Sequence, residues 1–231
     1  MKKGDLKKQE IMQTAEQMFC RKGYEQTSIQ DILDQLGISK GSFYHHFVSK
    51  EVLLEAMCSK RAEQNMEITL SDASEQISAT GKLNHLLSRM IPLQDEKLSF
   101  VLMLLPTFIL PEGKILITSY CESLKKAFIN AVAETIDEGV AAGEMICGNT
   151  EIFADIIITL INRLWVSVCD IIIENETEGN KTDPAELLHI TEQYRTAVER
   201  ILTITYGSLV LIDIPDLKGL TDQIHMHWNT K

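Results

Sequence analysis

The chain has 231 residues, a net charge of −11, 45% hydrophobic residues, 12 Gly and only five Pro. That length suits one or two domains with a sizeable core, and the scarcity of breakers leaves room for long helices. The acidic total disfavours a phosphate-rich partner for the chain as a whole. The charge is unevenly placed, however: residues 1–64 hold ten Lys/Arg against nine Asp/Glu, and the rest hold twelve against 24. A near-neutral head with lysines at 2, 3, 7, 8, 40 and 50 can approach a phosphate backbone while an acidic body stays away. Five cysteines (20, 58, 121, 147 and 169) are odd in number, widely spaced and lack a paired ligand pattern. A reduced, cytoplasmic chain with buried thiols is expected. Met1–Lys8 is basic and polar, unlike a secretion signal.

In chain order, a first helix is predicted from about Asp5 to Lys22, with Ile11, Ala15, Met18 and Phe19 as its apolar stripe and Gly23 at its end. Tyr24 is expected to pack beneath the next two helices. Residues 27–50, TSIQDILDQLGISKGSFYHHFVSK, hold these as two short helical patterns around a glycine. Thr27 or Ser28 can cap the first, and Ile29, Ile32, Leu33 and Leu36 give it one apolar face. Gly37 suits the left-handed backbone at its end. Ile38 can plug the space between the helices, and Ser39 can cap the second. Phe43 and Phe47 share one side of that second helix, leaving Lys40, Gly41, Ser42, Tyr44 and His45 outward. Helix, tight turn, helix is the arrangement that places a second helix in the major groove of DNA.

This stretch resembles the DNA-reading motif of the TetR family of one-component transcriptional regulators. The resemblance runs through Ala15, Phe19, Gly23-Tyr24, Thr27-Ser28-Ile29, Ile32 and Gly37–Lys50, then Glu51 and Leu54. Its most specific part is Gly41–Phe47 with Ser49-Lys50-Glu51, and it covers about the first quarter of the chain. It implies base and phosphate contacts at Lys40, Gly41, Ser42, Tyr44 and His45. Thr27, Ser28 and Lys50 would hold phosphates through hydroxyls, a helix N-terminus and a charge. Packing is the competing role for Tyr44, and helix-end capping for His46.

Beyond the motif, Ser49 caps a longer helix to about residue 70, long enough to join a head to a separate body. Residues 71–82 read as a loop or a loosely held helix start. Leu83, Leu86, Leu87, Met90 and Ile91 mark a short helix stopped by Pro92, and Lys97–Leu105 another, before Pro106, Pro111 and Gly113 break the chain. A long helix is predicted from about Ile115 to Val140. Residues 151–174 are apolar apart from a narrow stripe of Glu151, Asp155, Thr159, Asn162 or Arg163, Ser167, Asp170 and Glu174. So many ionisable groups exclude a lone membrane span. A helix buried on two faces, one against its own domain and one against a partner, explains the pattern. Residues 175–184 form a polar linker, and Ala185–Tyr206 another amphipathic helix. Together these helices predict a homodimer through about 151–174 and 185–206, as the resemblance also implies. Ser208–Ile214 reads as a strand or extended segment, and Pro215 and Gly219 argue against a long helix at the C-terminus.

The expected fold is therefore all-α. Residues 1–50 form a three-helix DNA-binding head, a linking helix covers about 50–70, and residues 71–231 form an effector-binding and dimerisation body. The expected partners are double-stranded operator DNA, a second copy of the chain and a small effector, with no cofactor. The acidic body favours a mostly apolar, neutral or cationic effector. Met90, Phe100, Met103, Phe108, Phe128 and Trp165 could line its cavity, and Asn162 could orient it, although core packing explains the same residues. His225 and His227 could bind a metal only on a strand or extended tail with further ligands nearby. Two other readings compete: a regulator answering to a protein partner or to cysteine oxidation, and an enzyme on a helical scaffold, for which no motif argues.

Overall fold

Serine hydroxyls cap each of the three helices that come after the first one. The computed structural model describes residues 3–72, 78–92 and 113–229, and all regular elements among them are α-helices. Helix α1 spans Lys3–Lys22, α2 Ile29–Leu36, α3 Lys40–Tyr44 and α4 Lys50–Ser71. Ser28 accepts from the Asp31 N–H at 3.1 Å, Ser39 from Ser42 at 3.2 Å and Ser49 from Val52 at 3.2 Å. Each satisfies a backbone donor that the first helical turn leaves free. Ser28, not Thr27, is thus the cap of α2. Gly37 ends that helix at φ 61, a conformation in which a Cβ would be strained.

One core runs beneath α1, α2 and α3. Ile11, Ala15, Phe19, Ile32, Leu33, Phe43 and Phe47 are all at most 2% exposed. Helix α3 has only five residues, too few to stand alone. Phe43 and Phe47 hold it in place, each contributing roughly 1.5–3 kcal/mol by burial.

The body contains α5 (Ala79–Met90), α6 (Gly113–Ala141), α7 (Thr150–Thr177), α8 (Pro184–Leu202) and α9 (Ile214–Asn229). Helix α4 packs on α6 as well as on α1, so it belongs to the head at one end and the body at the other. Arg61 of α4 pairs with Glu16 of α1, and Asn65 of α4 donates to the Arg89 carbonyl of α5 at 2.8 Å. Helix α7 is long and apolar enough to cross a membrane, yet Ile157, Ile158, Ile161, Leu164, Trp165 and Val168 are fully buried within this chain. Gly139 in α6 allows a close approach: a Cβ there would lie 2.6 Å from the Met145 sulfur, which folds back over the helix.

Several expectations change. Of the loop and the helix start that residues 71–82 allowed, the helix start holds from Ala79: Ser78 caps α5 and Glu144 accepts from the Thr80 N–H at 2.9 Å. Helix α8 stops at Leu202, where Thr203 takes φ 56, rather than reaching Tyr206. The C-terminal segment expected not to form a long helix is α9, with 16 residues. Pro215 lies in its first turn, where no N–H is needed, and buried Leu217, Leu220, Thr221 and Ile224 compensate for Gly219. Ser208–Ile214 forms no strand. The Gly207 and Leu209 N–H groups donate to Glu199, and Val210 donates to Asn84, so side chains replace a ladder. His225 and His227 consequently sit on a helix, and His225 Nδ1 lies 2.8 Å from the buried Glu176 carboxylate. The predicted helix Lys97–Leu105 and its prolines lie outside the described residues.

Candidate nucleic-acid interface

The second helix ends at Tyr44, short of Phe47, but burying Phe43 within α3 and Phe47 just after it still turns the other residues outward. Lys40, Gly41, Tyr44 and His45 are exposed and Ser42 is half-buried. Tyr44 is partly packed and partly open. Its ring meets Phe43 edge-on at 5.5 Å, while 51% of the residue remains open to solvent. His45 stacks edge-on against half-buried His46 at 5.0 Å, which leaves His45 the more accessible of the two. The outward face therefore presents a cation, a hydroxyl, a phenol and an imidazole. Such groups can donate to phosphate oxygens and base edges.

Three residues expected at phosphates are engaged within the fold. Thr27 is fully buried, and its hydroxyl donates to the Gly23 carbonyl at 2.8 Å, closing the end of α1. That hydroxyl cannot also reach a phosphate. Ser28 is exposed, but its hydroxyl donates to Asp31 at 2.8 Å while capping α2. The hydrogen bond from the Ser28 N–H holds the Asp31 carboxyl below its usual pKa, so an anion already occupies this helix N-terminus. The Lys50 ammonium donates to the carbonyls of Tyr24 at 3.0 Å and Thr27 at 3.2 Å, 4.1 Å from the Tyr24 ring centre. Sequence pattern placed these residues in the head correctly. Thr27 and Ser28 are held locally, by Gly23 and Asp31, whereas the Lys50 bonds bring the α1–α2 connection onto α4, which spacing along the chain does not encode.

The residues expected to surround an effector do not form one site among the described residues. Met90, Phe128 and Trp165 are fully buried core side chains. Asn162 is 9% exposed rather than solvated, and its amide donates to the Cys121 carbonyl at 3.1 Å and accepts from the Trp165 indole at 3.3 Å. Phe100, Met103 and Phe108 lie outside the described residues. A cleft of about 740 Å³ opens elsewhere, between α4 and α6, lined by Val52, Glu55, Ala56, Ser59, Thr118, Ser119, Glu122, Ser123 and Lys126. Sequence reasoning missed it because its serine, threonine and charged residues read as two ordinary solvent-facing helix sides.

Burial pushes the Cys58 and Cys121 thiols up to about 12 and that of Cys169 higher still. Thiolate chemistry is suppressed at all three. Among the described residues, no three His, Cys, Asp or Glu side chains are grouped to hold a metal ion.

Comparison with known proteins places the head. Residues 11–57 match the family model of bacterial regulatory proteins, tetR family. The chain is 32% identical over 133 residues to an uncharacterized HTH-type transcriptional regulator, YerO, of Bacillus subtilis, covering 56% of this chain and 43% of that protein. It is 45% identical over 49 residues to the HTH-type transcriptional repressor KstR2 of Mycolicibacterium smegmatis, covering 21% and 24%. The chain thus spans less than half the length of these relatives. The fold is similar to that of the transcriptional regulator FadR from Bacillus subtilis in complex with stearoyl-CoA, with a TM-score of 0.56 at 20% identity over 84% of this chain and 97% of that one. With its helix-turn-helix built from α2 and α3, the head over residues 11–57 matches the tetR family of bacterial regulatory proteins.

Proposed function

We propose that this chain is a DNA-binding transcriptional repressor, acting as a homodimer in the cytoplasm and released from its operator by a small effector. The observation that carries the reading is the outward face of α3, with Lys40, Gly41, Ser42, Tyr44 and His45 free of the core that grips Phe43 and Phe47. The activity is binding rather than catalysis. Residues 1–50 act as the head, α4 as the link and residues 71–231 as the body. KstR2, matched at the head, is a repressor, and the FadR neighbour holds stearoyl-CoA. Both support a repressor with a ligand-responsive body, and the raised thiol pKa values weigh against control by cysteine oxidation.

The dimer uses α7 and α8. Ile152 and Ile156 of α7 are 58% and 42% exposed, and Ile190, Tyr194 and Ile201 of α8 are half-buried at steps of four and seven residues. Ile157, by contrast, is fully buried inside the chain, so a charge there tests folding. Ile156→Asp leaves the fold intact and shifts the sedimentation coefficient from dimer to monomer. A dimer at the wild-type dissociation constant overturns this use of α7.

The effector acts at the α4–α6 cleft, where one wall is the link to the head. Val52, Ala56 and the aliphatic parts of the other side chains share its lining with hydroxyls and charges, which suits a mostly apolar effector carrying a polar or cationic group. A bound molecule can shift DNA affinity only by its difference in affinity for the two positions of α4, about 1–3 kcal/mol in typical linkage.

In vitro selection from a random duplex library tests the whole reading. It yields an inverted repeat with half-sites about one helical turn, roughly 34–36 Å, apart or a multiple of that. Failure to enrich any repeat overturns it.

A further inference from the structure

The first residue of α4 is tied to the start of the reading head. Lys50 reaches back 26 and 23 residues to donate to the Tyr24 and Thr27 carbonyls. Its ammonium lies 4.1 Å from the Tyr24 ring centre, and that ring is held edge-on by Phe19 at 5.0 Å. Two of the three ammonium donors are therefore spent, and a ring face covers another side. The Tyr24 carbonyl accepts a second bond, from the Thr27 N–H at 3.2 Å. Thr27 closes α1 through its hydroxyl, and Ser28, the next residue, caps α2. The ammonium thus grips the short connection that decides where α2 begins.

We infer that Lys50 is a positioning residue that clamps the α1–α2 connection to α4, and that it supports DNA binding through this clamp rather than by neutralising a phosphate. The inference rests on the proposed DNA-binding reading for its functional consequence, but the clamp itself is a property of the DNA-free protein. It gives α4 a rigid handle on the head. Movement of α4 at its body end reaches the N-terminus of α2 through one side chain, without passing through α3. Lys40 provides the contrast, being exposed at the start of α3 with no partner among the described residues.

The two roles respond differently to substitution. A phosphate contact needs a cation in roughly the right place, and Arg serves at least as well as Lys. The clamp needs a compact ammonium that fits between two carbonyls and a ring, which a planar guanidinium does not. Losing the clamp lowers the fraction of heads in the binding-competent form, and apparent affinity falls by that fraction.

The experiment compares the wild type with Lys50→Arg, Lys50→Met and Lys40→Met. Fluorescence anisotropy measures binding to a random-sequence 30-base-pair duplex at several salt concentrations, and hydrogen exchange measures residues 24–32 without DNA. Lys40→Met should reduce the salt slope by about 0.9 per head. Lys50→Arg should keep the wild-type slope yet weaken binding about tenfold, the scale of one lost charged hydrogen bond. Both Lys50 variants should speed amide exchange at residues 24–32, with unchanged exchange in α6 and α7 showing that the body remains folded. Wild-type affinity in Lys50→Arg, or unchanged exchange at residues 24–32 in both Lys50 variants, overturns the inference. If the wild type binds no duplex, the DNA-binding reading fails while the exchange measurement still decides the clamp.

Discussion

The head and the body are both helical, but they solve different problems. The head uses short helices started by Ser28 and Ser39, and it buries only one side of each. Its exposed side remains available as a surface whose residues follow directly from helical spacing. The body uses helices of up to 29 residues, and α7 is enclosed by α6, α8, α5 and α9. Its polar groups are consumed inside, as Asn162 is by Cys121 and Trp165, and Glu199 by Arg195 and the backbone of Gly207 and Leu209. An exposed helix face can be specified residue by residue, whereas an enclosed body must be specified by packing.

The largest expected effect falls on the body. Trp165→Ala removes a fully buried indole that packs against Tyr120 at 5.9 Å, and leaves the Asn162 amide without one partner. A loss of about 3–5 kcal/mol is expected from urea unfolding, enough to unfold much of the body. A loss below about 1 kcal/mol would show that the body tolerates cavities and would weaken the contrast with the head.

Next comes the reading surface. Tyr44→Ala or His45→Ala should each weaken binding to the selected duplex by roughly 1–3 kcal/mol while the urea midpoint stays within error. Tyr44 is the sharper test, because its edge contact with Phe43 gives it a share in packing. A stability loss matching the affinity loss would make Tyr44 a core residue, and the head would then resemble the body.

The smallest effect concerns the joint between α5 and the α6–α7 connection. Glu144 accepts from the Thr80 N–H at 2.9 Å, the Thr80 hydroxyl at 3.0 Å and the Ala79 N–H at 3.3 Å. The hydrogen bond from the Thr80 backbone, first among these causes, lowers its carboxyl pKa below the usual 4.5. The unfolded chain therefore binds this proton more readily. The resulting stability is complete above about pH 4.5 and is lost as pH falls through the lower folded value. Thermal midpoints between pH 7 and 3 should fall less steeply in Glu144→Gln than in the wild type. Parallel curves would remove this carboxylate from the acid response.

Sequence alone determined the three-helix head, the caps at Ser39 and Ser49, the left-handed Gly37 and the outward set on α3. These depend on contacts between residues three or four apart, and helical periodicity records those contacts directly. It also determined that residues 151–174 form a buried helix, because a narrow polar stripe on an apolar helix has few other homes. Tertiary structure alone decided that Lys50 turns inward, that Asn162 belongs to the core and that residues 214–229 form α9 despite Pro215 and Gly219. It also decided where the cleft opens, between faces of α4 and α6 more than fifty residues apart in the chain. Each of these depends on a partner distant in sequence. A side chain's spacing shows which face it occupies, but only the packed structure supplies the group that it meets there.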